Sequence, residues 1–221
     1  MTGEDKGGRA GTIRVVARRL VGANGKWRVF FDHIVDGAGR EVKDYLVLAS
    51  HRDPTRHLTG VTVLPVCDGA VVLLRNYRHA VESFVWEAVR GFIDDGETPS
   101  EAAHRELAEE AGLVCPKEAM EPLGFCLPDG STMAARAALF AATACRPGQA
   151  RHEDELGLGE RHLLPLERAA HMLKDGEIED AATAVALHRY LGRCAQAAAE
   201  AREVAPVVRA ITPPIDGHDG K

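Results

Sequence analysis

The segment from Gly91 to Leu113 constrains the fold of this chain most, because its second half carries clear start and stop signals for a helix. Thr98 suits the residue that caps a helix N-terminus, Pro99 suits the first helical position, and Glu101 can complete a capping box. Gly112 can end the helix in the left-handed conformation that glycine adopts readily. The segment therefore predicts a helix whose two ends are both fixed by local hydrogen bonds.

Three carboxylates of this predicted helix share one face, because Glu106, Glu109 and Glu110 are spaced i, i+3 and i+4. Like charges at this spacing repel each other by about 0.2–0.5 kcal/mol per pair. A hard divalent cation would relieve the repulsion, and Mg²⁺ is the usual ion where carboxylates also meet phosphates. Glu97 can reach the same place from the preceding loop. A solvated acidic helix face is the alternative for such a run taken alone.

The whole segment fits the pattern G-x5-E-x7-R-E-U-x-E-E-x-G-U, in which U is an aliphatic residue. Its fixed positions are filled by Gly91, Glu97, Arg105, Glu106, Leu107, Glu109, Glu110, Gly112 and Leu113. The pattern resembles the Nudix box, the signature of hydrolases that cleave a nucleoside diphosphate linked to another group. The resemblance implies a site for Mg²⁺, with Mn²⁺ as the alternative, on Glu97, Glu106, Glu109 and Glu110. It also implies catalytic roles for Glu109 and for Arg105, which would orient the carboxylates; an exposed ion pair is the alternative for Arg105.

Length, charge and cysteine usage narrow the class of protein. The chain has 221 residues, which suits one domain or one domain with a small appendage. Its net charge of −6 argues against a general nucleic-acid binder, because phosphate backbones require a basic surface. The sequence shows neither an apolar run long enough to span a membrane nor a signal peptide. The five cysteines form no CxxC pair, so we expect reduced thiols in a cytoplasmic protein.

The chain on both sides of the box reads as short strands and a few helices. Residues 1–11 are Gly-rich and charged and are expected to be a disordered tail. A small antiparallel sheet in residues 12–55 is predicted from strands at 12–21, 27–35 and 41–48. Further strands are predicted at 61–66, 71–75, 84–90, 121–127, 135–145 and 162–166, and helices at 167–174 and 180–202.

A mixed sheet flanked by helices is an α/β or α+β layered domain. The resemblance sharpens this expectation to a Nudix α/β/α sandwich over residues 56–202, which is preceded by the small N-terminal sheet. Residues 203–221 are expected to be a C-terminal tail.

A second resemblance, to the ADP-ribose pyrophosphatases within the Nudix superfamily, lies in the strand and loop before the box. Arg75, Tyr77 and Arg78 match an R-Q-x-R segment of that subfamily, with Asn76 in place of Gln. The segment that follows, L-E-x-P/V-A-G in the subfamily, is matched by Glu87, Val89 and Gly91. Arg90 stands where Ala is usual. The subfamily uses the backbone carbonyl of that residue as a metal ligand, so Arg90 is a predicted metal ligand.

The resemblance continues after the box. Pro128 lies 16 residues after Gly112 and matches a Pro that many members carry, although Pro-Asp-Gly is also a simple turn signal. Tyr77 or Trp86 would stack on an adenine, the alternative being a place in the core. The predicted substrate-binding residues are Arg75, Arg78, Glu87 and Pro128.

The resemblance implies metal-dependent hydrolysis of a nucleoside diphosphate sugar, with ADP-ribose giving AMP and ribose 5-phosphate. Another nucleoside diphosphate derivative, such as GDP-mannose, is the enzyme alternative. A module that binds ADP-ribose without cleaving it is the second alternative, and the complete set of box carboxylates argues against it. The subfamily exchanges its N-terminal sheet between two protomers. We therefore expect a homodimer in which the aromatic strand Trp27–Val35 completes the pocket of the partner.

The loop His152–Glu155 is the predicted source of the general base. A metal-bound Glu is a poor proton acceptor, because the cation lowers its pKa. The resembling enzymes carry a catalytic Glu on a mobile loop at this place; Glu155 is the preferred candidate and Glu153 the second, with a solvated acidic loop as the alternative. Three glycines, Gly148, Gly157 and Gly159, are expected to give the loop freedom to close over substrate.

Overall fold

The computed structural model describes residues 12–51, 57–148 and 156–211, with side chains as far as residue 202. The strands up to the box are β1 (Arg14–Ala23), β2 (Trp27–Val35), β3 (Glu41–Ser50), β4 (Leu58–Cys67), β5 (Ala70–Arg78), β6 (Ser83–Glu87) and β7 (Val89–Phe92). The strands after it are β8 (Leu113–Val114), β9 (Met120–Cys126), β10 (Met133–Ala134), β11 (Arg136–Ala142), β12 (Arg146–Pro147) and β13 (Glu160–Pro165). The helices are α1 (Pro99–Ala111), α2 (Leu166–Lys174) and α3 (Ala181–Ile211).

The first three strands form the small antiparallel sheet that the sequence predicts, in the order β1-β2-β3. β10 extends this sheet by pairing parallel to β3, with Met133 opposite Leu48 and Ala134 opposite Ala49. Because β10 comes from the segment after the box, the N-terminal sheet is attached by backbone pairing to the main domain of the same chain. This attachment brings β2 close to the segment Val89–Phe92.

The central sheet has the strand order β13-β5-β4-β11-β9, with β6 added to β5 and β7 added to β4. β4 and β5 are buried over most of their length, as their continuous apolar sequence predicts. Leu107 of α1 packs in the core cluster on one face of the sheet. Met172 of α2 and Leu187 of α3 pack in the cluster on the other face. The helices thus lie on both faces of a mixed sheet, which confirms the predicted α/β/α sandwich.

Helix α1 begins and ends where the sequence signals place it. The Thr98 hydroxyl accepts a hydrogen bond from the Glu101 N–H at 3.3 Å, and the Glu101 carboxylate accepts one from the Thr98 N–H at 2.8 Å. Gly112 ends the helix with a φ of 62°, in the left-handed region. The other face of the helix is buried against the sheet at Ala103, Leu107 and Ala111. The local hydrogen bonds at both ends fix the direction in which the acidic face points.

Besides shifts of a few residues at strand ends, two elements differ from the sequence prediction. The strand predicted at 84–90 is two strands, because β6 pairs with β5 whereas β7 pairs with β4. Ala88, between them, donates its N–H to the Thr183 hydroxyl at 2.9 Å. Helix α3 continues to Ile211, past residue 202, into the segment expected to be a C-terminal tail. Within the described ranges, none of the helices combines the length and the apolar character needed to cross a membrane.

Candidate active site

The acidic face of α1 lies directly against β7. Glu106, which is 8% exposed, places its carboxylate where a side chain at Gly91 would stand: a Cβ at that position would be 1.9 Å from Oε1. The Glu110 carboxylate, 3% exposed, accepts a hydrogen bond from the Arg90 N–H at 2.9 Å. The glycine at the first position of the box is therefore required by close contact with a box carboxylate.

Arg105 lies at the centre of the box carboxylates. Its Nε and Nη2 donate to the two carboxylate oxygens of Glu97, each at 3.0 Å. Its Nη1 donates to Glu106 at 2.7 Å and to Glu109 at 3.0 Å, and its Nη2 also donates to the Phe92 carbonyl at 2.7 Å. The pairing with Glu97 raises the pKa of Arg105 above its ordinary value and lowers that of Glu97. These contacts fit the orienting role predicted for Arg105 and offset the mutual repulsion of the carboxylates.

The donor set of the box consists of hard carboxylate oxygens, which suit Mg²⁺ or Mn²⁺. In the side-chain arrangement described, no three acidic, His or Cys residues among the described ranges converge as ligands. Instead, Arg105 joins Glu97, Glu106 and Glu109, while Glu110 pairs with backbone. The box residues thus fit a divalent cation by the chemistry of their oxygen donors, and Arg105 holds three of them together. The carbonyl of Arg90 as a ligand stays a prediction.

A cavity of about 740 Å³ opens beside the box, a volume that suits a small-molecule ligand. Its lining includes Gly91 of the box and residues from distant parts of the chain, among them Trp27, Arg78, Glu87, Arg90, Phe92 and Pro128. Trp27 and Phe92 meet edge to face, with ring centroids 5.8 Å apart. The structure thus places three of the four predicted substrate-binding residues, Arg78, Glu87 and Pro128, at this cavity.

Glu87 is a buried anchor for arginines. It is 2% exposed, and its carboxylate accepts two hydrogen bonds of 3.0 Å from Nε of Arg78 and a further close contact from Nη2. Asn76, fully buried, donates to it at 3.0 Å, and Arg90 donates at 3.2 Å. Because its oxygens already accept from three side chains, Glu87 holds the cavity arginines in place.

Arg75, the fourth predicted substrate-binding residue, does not line the cavity. Its guanidinium lies 5.0 Å from the ring of Trp86, which also packs edge to face on His162. Tyr77 packs on Phe84 at the surface. The two aromatics predicted as adenine contacts are therefore outside the cavity lining.

Trp27, which sequence reasoning assigned to the pocket of a partner, lines the cavity of its own chain. In the sequence, Trp27 stands out only as part of an aromatic strand, and no pattern points to Phe92 as a cavity residue. The parallel pairing of β10 with β3 explains the outcome, since it holds the N-terminal sheet against the domain that contains the box.

Glu153 and Glu155, the candidate bases, lie outside the described residues. The glycines on either side of this segment are held in close contacts, in place of the freedom expected for them. Gly148 donates its N–H to the Gly112 carbonyl at 2.9 Å, and Gly157 accepts from the Tyr77 N–H at 3.0 Å. A Cβ on Gly159 would be 1.6 Å from the Arg75 carbonyl oxygen. These glycines allow close approach to α1 and β5, which is their physical reason in this fold.

Residues 56–187 match the NUDIX domain family. This chain belongs to the Nudix family. The match spans more than half of the chain and contains the whole box, so the family predicted from the nine fixed positions is confirmed. Nudix hydrolases generally use divalent metal ions, in line with the oxygen donors gathered on α1.

Two relatives and one solved structure are similar to this Nudix chain. The ADP-ribose pyrophosphatase of Bacillus subtilis (strain 168) is 31% identical over 93 residues, 42% of this chain and 50% of the relative. The ADP compounds hydrolase NudE of Escherichia coli (strain K12) is 42% identical over 53 residues, 24% of this chain and 28% of the relative. The chain thus spans about half of the first relative and less of the second. A crystal structure of an ADP compounds hydrolase shares its fold, with a TM-score of 0.69 at 20% identity over 84% of this chain and 96% of that chain.

Proposed function

We propose that this Nudix chain is a metal-dependent hydrolase that cleaves the pyrophosphate bond of nucleoside diphosphate sugars, with ADP-ribose as its preferred substrate. The products are AMP and ribose 5-phosphate. The observation that carries the proposal is the position of Glu106 and Glu110, two buried carboxylates of the box, beside a cavity of about 740 Å³. The names of the two relatives, an ADP-ribose pyrophosphatase and an ADP compounds hydrolase, support the choice of substrate class.

In this proposal some box residues bind the cation and others position the residues that bind it. Mg²⁺ or Mn²⁺ would be held by carboxylate oxygens of Glu97, Glu106, Glu109 and Glu110. When bound, the ion neutralises charge on the diphosphate and polarises its phosphoryl oxygens. Arg105 keeps three of the carboxylates in register through hydrogen bonds of 2.7–3.0 Å. Because Gly91 has no side chain, the Glu106 carboxylate can lie directly against β7.

Glu155, with Glu153 as the second candidate, is proposed to take a proton from the attacking water. The described flanks of this segment support the proposal, because Gly148 is bonded to Gly112 at the end of α1 and Gly157 to Tyr77 of β5. Glu155→Gln and Glu153→Gln test the role at saturating Mg²⁺. Loss of a general base lowers kcat by about 10²- to 10⁴-fold with a small effect on KM. If the double variant loses only a few-fold, the base lies elsewhere.

We also propose a homodimer formed through the N-terminal sheet. Apolar side chains stand exposed along β1 and β3, including Val15 at 52%, Leu20 at 56% and Val42 at 45%. Residues 12–51 contain seven Lys or Arg and four Asp or Glu, a net +3, whereas the whole chain carries −6. A basic sheet with an apolar surface suits the acidic remainder of a second copy. Light scattering at micromolar concentration should give a dimer; a fully active monomer would contradict this assembly.

Hydrolysis is tested with a panel of ADP-ribose, GDP-mannose and a nucleoside triphosphate, each with Mg²⁺, with Mn²⁺ and with EDTA. We expect kcat/KM for ADP-ribose to exceed the others by at least about 10-fold, or about 1.4 kcal/mol of transition-state discrimination, with activity lost in EDTA. A higher value for GDP-mannose would contradict the substrate and leave the reaction class intact. Binding of ADP-ribose without products in either metal would instead identify a binding module. The cytoplasmic location stays a prediction from composition.

A further inference from the structure

Arg90 is the residue at which this chain departs most from the pattern of its subfamily, and its side chain lines the cavity. It lies on β7, opposite Thr62 of β4. Its Nη1 donates to Glu87 at 3.2 Å and to Asp180 at 2.9 Å, while 41% of the side chain remains exposed. The guanidinium is therefore anchored at one nitrogen and open to the cavity elsewhere.

Both anchors of Arg90 are themselves held in place. Glu87 is buried and also accepts hydrogen bonds from Asn76 and Arg78. Asp180 accepts from the N–H of Thr183 at 2.9 Å and from its hydroxyl at 2.7 Å, at the start of α3. Because two fixed carboxylates restrain its rotamer, Arg90 loses little further freedom when it contacts a ligand.

The other edge of the Arg90 guanidinium makes no contact with a polar group of the residues that the structure describes. Within the described part of the chain, Nε and Nη2 make no hydrogen bond or ion pair; the contacts of the side chain all run through Nη1. Nε and Nη2 carry parallel N–H donors, the geometry that matches two oxygens of one phosphate or carboxylate. The guanidinium therefore presents an unused bidentate anion-binding edge.

The main chain of Arg90 places this edge next to the proposed reaction site. Its N–H donates to the Glu110 carboxylate at 2.9 Å, so the residue adjoins the carboxylates that would hold the cation. Arg78 and Arg90 share the single carboxylate of Glu87, and this part of the lining is thus richer in cations than the box. A diphosphate between the two regions would meet a cation on each side.

We infer that the free Nε–Nη2 edge of Arg90 binds non-bridging oxygens of the diphosphate of the substrate. This inference rests on the proposed function for the location of the site, and it assigns to the side chain a role beyond the backbone ligand predicted from the subfamily. Arg90 then determines specificity for nucleoside diphosphate compounds over nucleosides, and it does so by direct contact.

The test compares the binding of ADP and of adenosine to the full chain by calorimetry in saturating Mg²⁺. Arg90→Ala should weaken ADP binding by at least about 10-fold, the value of a charge-assisted hydrogen bond, and adenosine binding by less than about 2-fold. Arg90→Lys, which keeps the charge and removes the bidentate edge, should fall between wild type and Arg90→Ala. Arg168→Ala is the matched control, since Arg168 pairs with Glu177 outside the cavity lining.

Each other outcome contradicts the inference. Equal losses for ADP and adenosine in Arg90→Ala would mean that Arg90 only braces the site through Glu87 and Asp180. Unchanged ADP affinity in Arg90→Ala and in Arg90→Lys, or no ADP binding by the wild type, would exclude the phosphate contact. Failure of the proposed function is seen separately, in the hydrolysis of ADP-ribose by the wild type: Arg90-dependent ADP binding without hydrolysis would reject the activity and keep the contact.

Discussion

The two walls of the cavity are built from the chain in different ways. The box wall is formed by Gly91 and Phe92 of β7, with the carboxylates of α1 directly behind this strand. The opposite wall is assembled from Trp27, Arg78, Pro128 and Asp180, which come from four separate parts of the chain. Local hydrogen bonds position the box carboxylates, whereas strand pairing positions the opposite wall. The chemistry of the site is thus encoded in one segment and its shape in the whole fold.

The two walls also carry opposite patterns of charge. In the box wall one cation, Arg105, holds Glu97, Glu106 and Glu109. Beside the opposite wall one buried carboxylate, Glu87, holds Arg78 of that wall and also Arg90, from the start of β7. An acid-rich cluster favours a metal ion and an arginine-rich one favours an anion, so the comparison predicts that changes in the first wall affect turnover and changes in the second affect binding.

The largest effect is expected from the buried box carboxylates. Glu106→Gln or Glu110→Gln should lower kcat by at least about 10²-fold, which corresponds to about 3 kcal/mol of lost electrostatic preorganisation. The fold should persist, because removing one of several neighbouring like charges relieves repulsion. Steady-state kinetics with thermal unfolding of the metal-free proteins checks both statements. Wild-type turnover in both variants would show that these box carboxylates take no part in the reaction.

A smaller effect on turnover is expected from the close contact at Gly91. In Gly91→Ala, the new Cβ would stand 1.9 Å from the Glu106 carboxylate, which must then move. We expect kcat to fall by about 10- to 100-fold, because small displacements of catalytic groups are costly. Gly37→Ala is the control, since a Cβ there meets nothing within 4 Å. Equal kinetics for the two variants would show that the position of Glu106 does not limit the reaction.

Truncation in the opposite wall should change binding and leave turnover unaffected. Trp27→Ala removes the aromatic surface that meets Phe92 in the cavity. We expect KM for ADP-ribose to rise by about 10-fold, the effect of losing a stacking surface worth about 1–3 kcal/mol, with kcat nearly unchanged. Phe31→Ala, on the same strand but outside the cavity lining, serves as the control. A fall in kcat for Trp27→Ala, with normal kcat for Phe31→Ala, would show that the opposite wall also contributes to turnover.

The smallest effect is expected at the capping box of α1. Thr98→Ala removes the hydroxyl that accepts from the Glu101 N–H. The variant should lose about 1 kcal/mol of unfolding free energy with kcat close to wild type, because α1 stays packed on the sheet. Urea unfolding measures the loss of unfolding free energy, and a steady-state assay measures kcat. A large loss of turnover with normal stability would mean that the cap controls the orientation of the acidic face.

The same contrast explains which features could be predicted from the sequence. The ends of α1, its buried face and the clustering of its carboxylates depend on residues within one or two turns of each other, so pattern and spacing suffice. The bond between Arg90 and Asp180 joins residues 90 positions apart, and that between Asn76 and Gly159 joins residues 83 apart. Such contacts depend on strand order, which no local pattern encodes.

Two sequence interpretations, which stay predictions, concern residues whose contacts depend on strand order in this way. Arg75 matched a subfamily motif, yet its position on β5 directs it to Trp86 and away from the cavity lining. Gly157 and Gly159 resembled glycines of a mobile loop, yet they permit close packing on the backbone of β5. In both cases the neighbour is set by strand pairing: β6 pairs with β5 and places Trp86 opposite Arg75, and β13 pairs with β5 next to Gly157 and Gly159.

The division of labour between the two walls is tested most directly by measuring kcat and the Kd for ADP-ribose side by side in Glu106→Gln and Trp27→Ala. We predict that Glu106→Gln lowers kcat by at least about 10²-fold and changes Kd by less than about 3-fold. We predict that Trp27→Ala raises Kd by about 10-fold and changes kcat by less than about 3-fold. The reverse pattern, or parallel changes of both constants in both variants, would contradict the separation of a chemical wall from a binding wall.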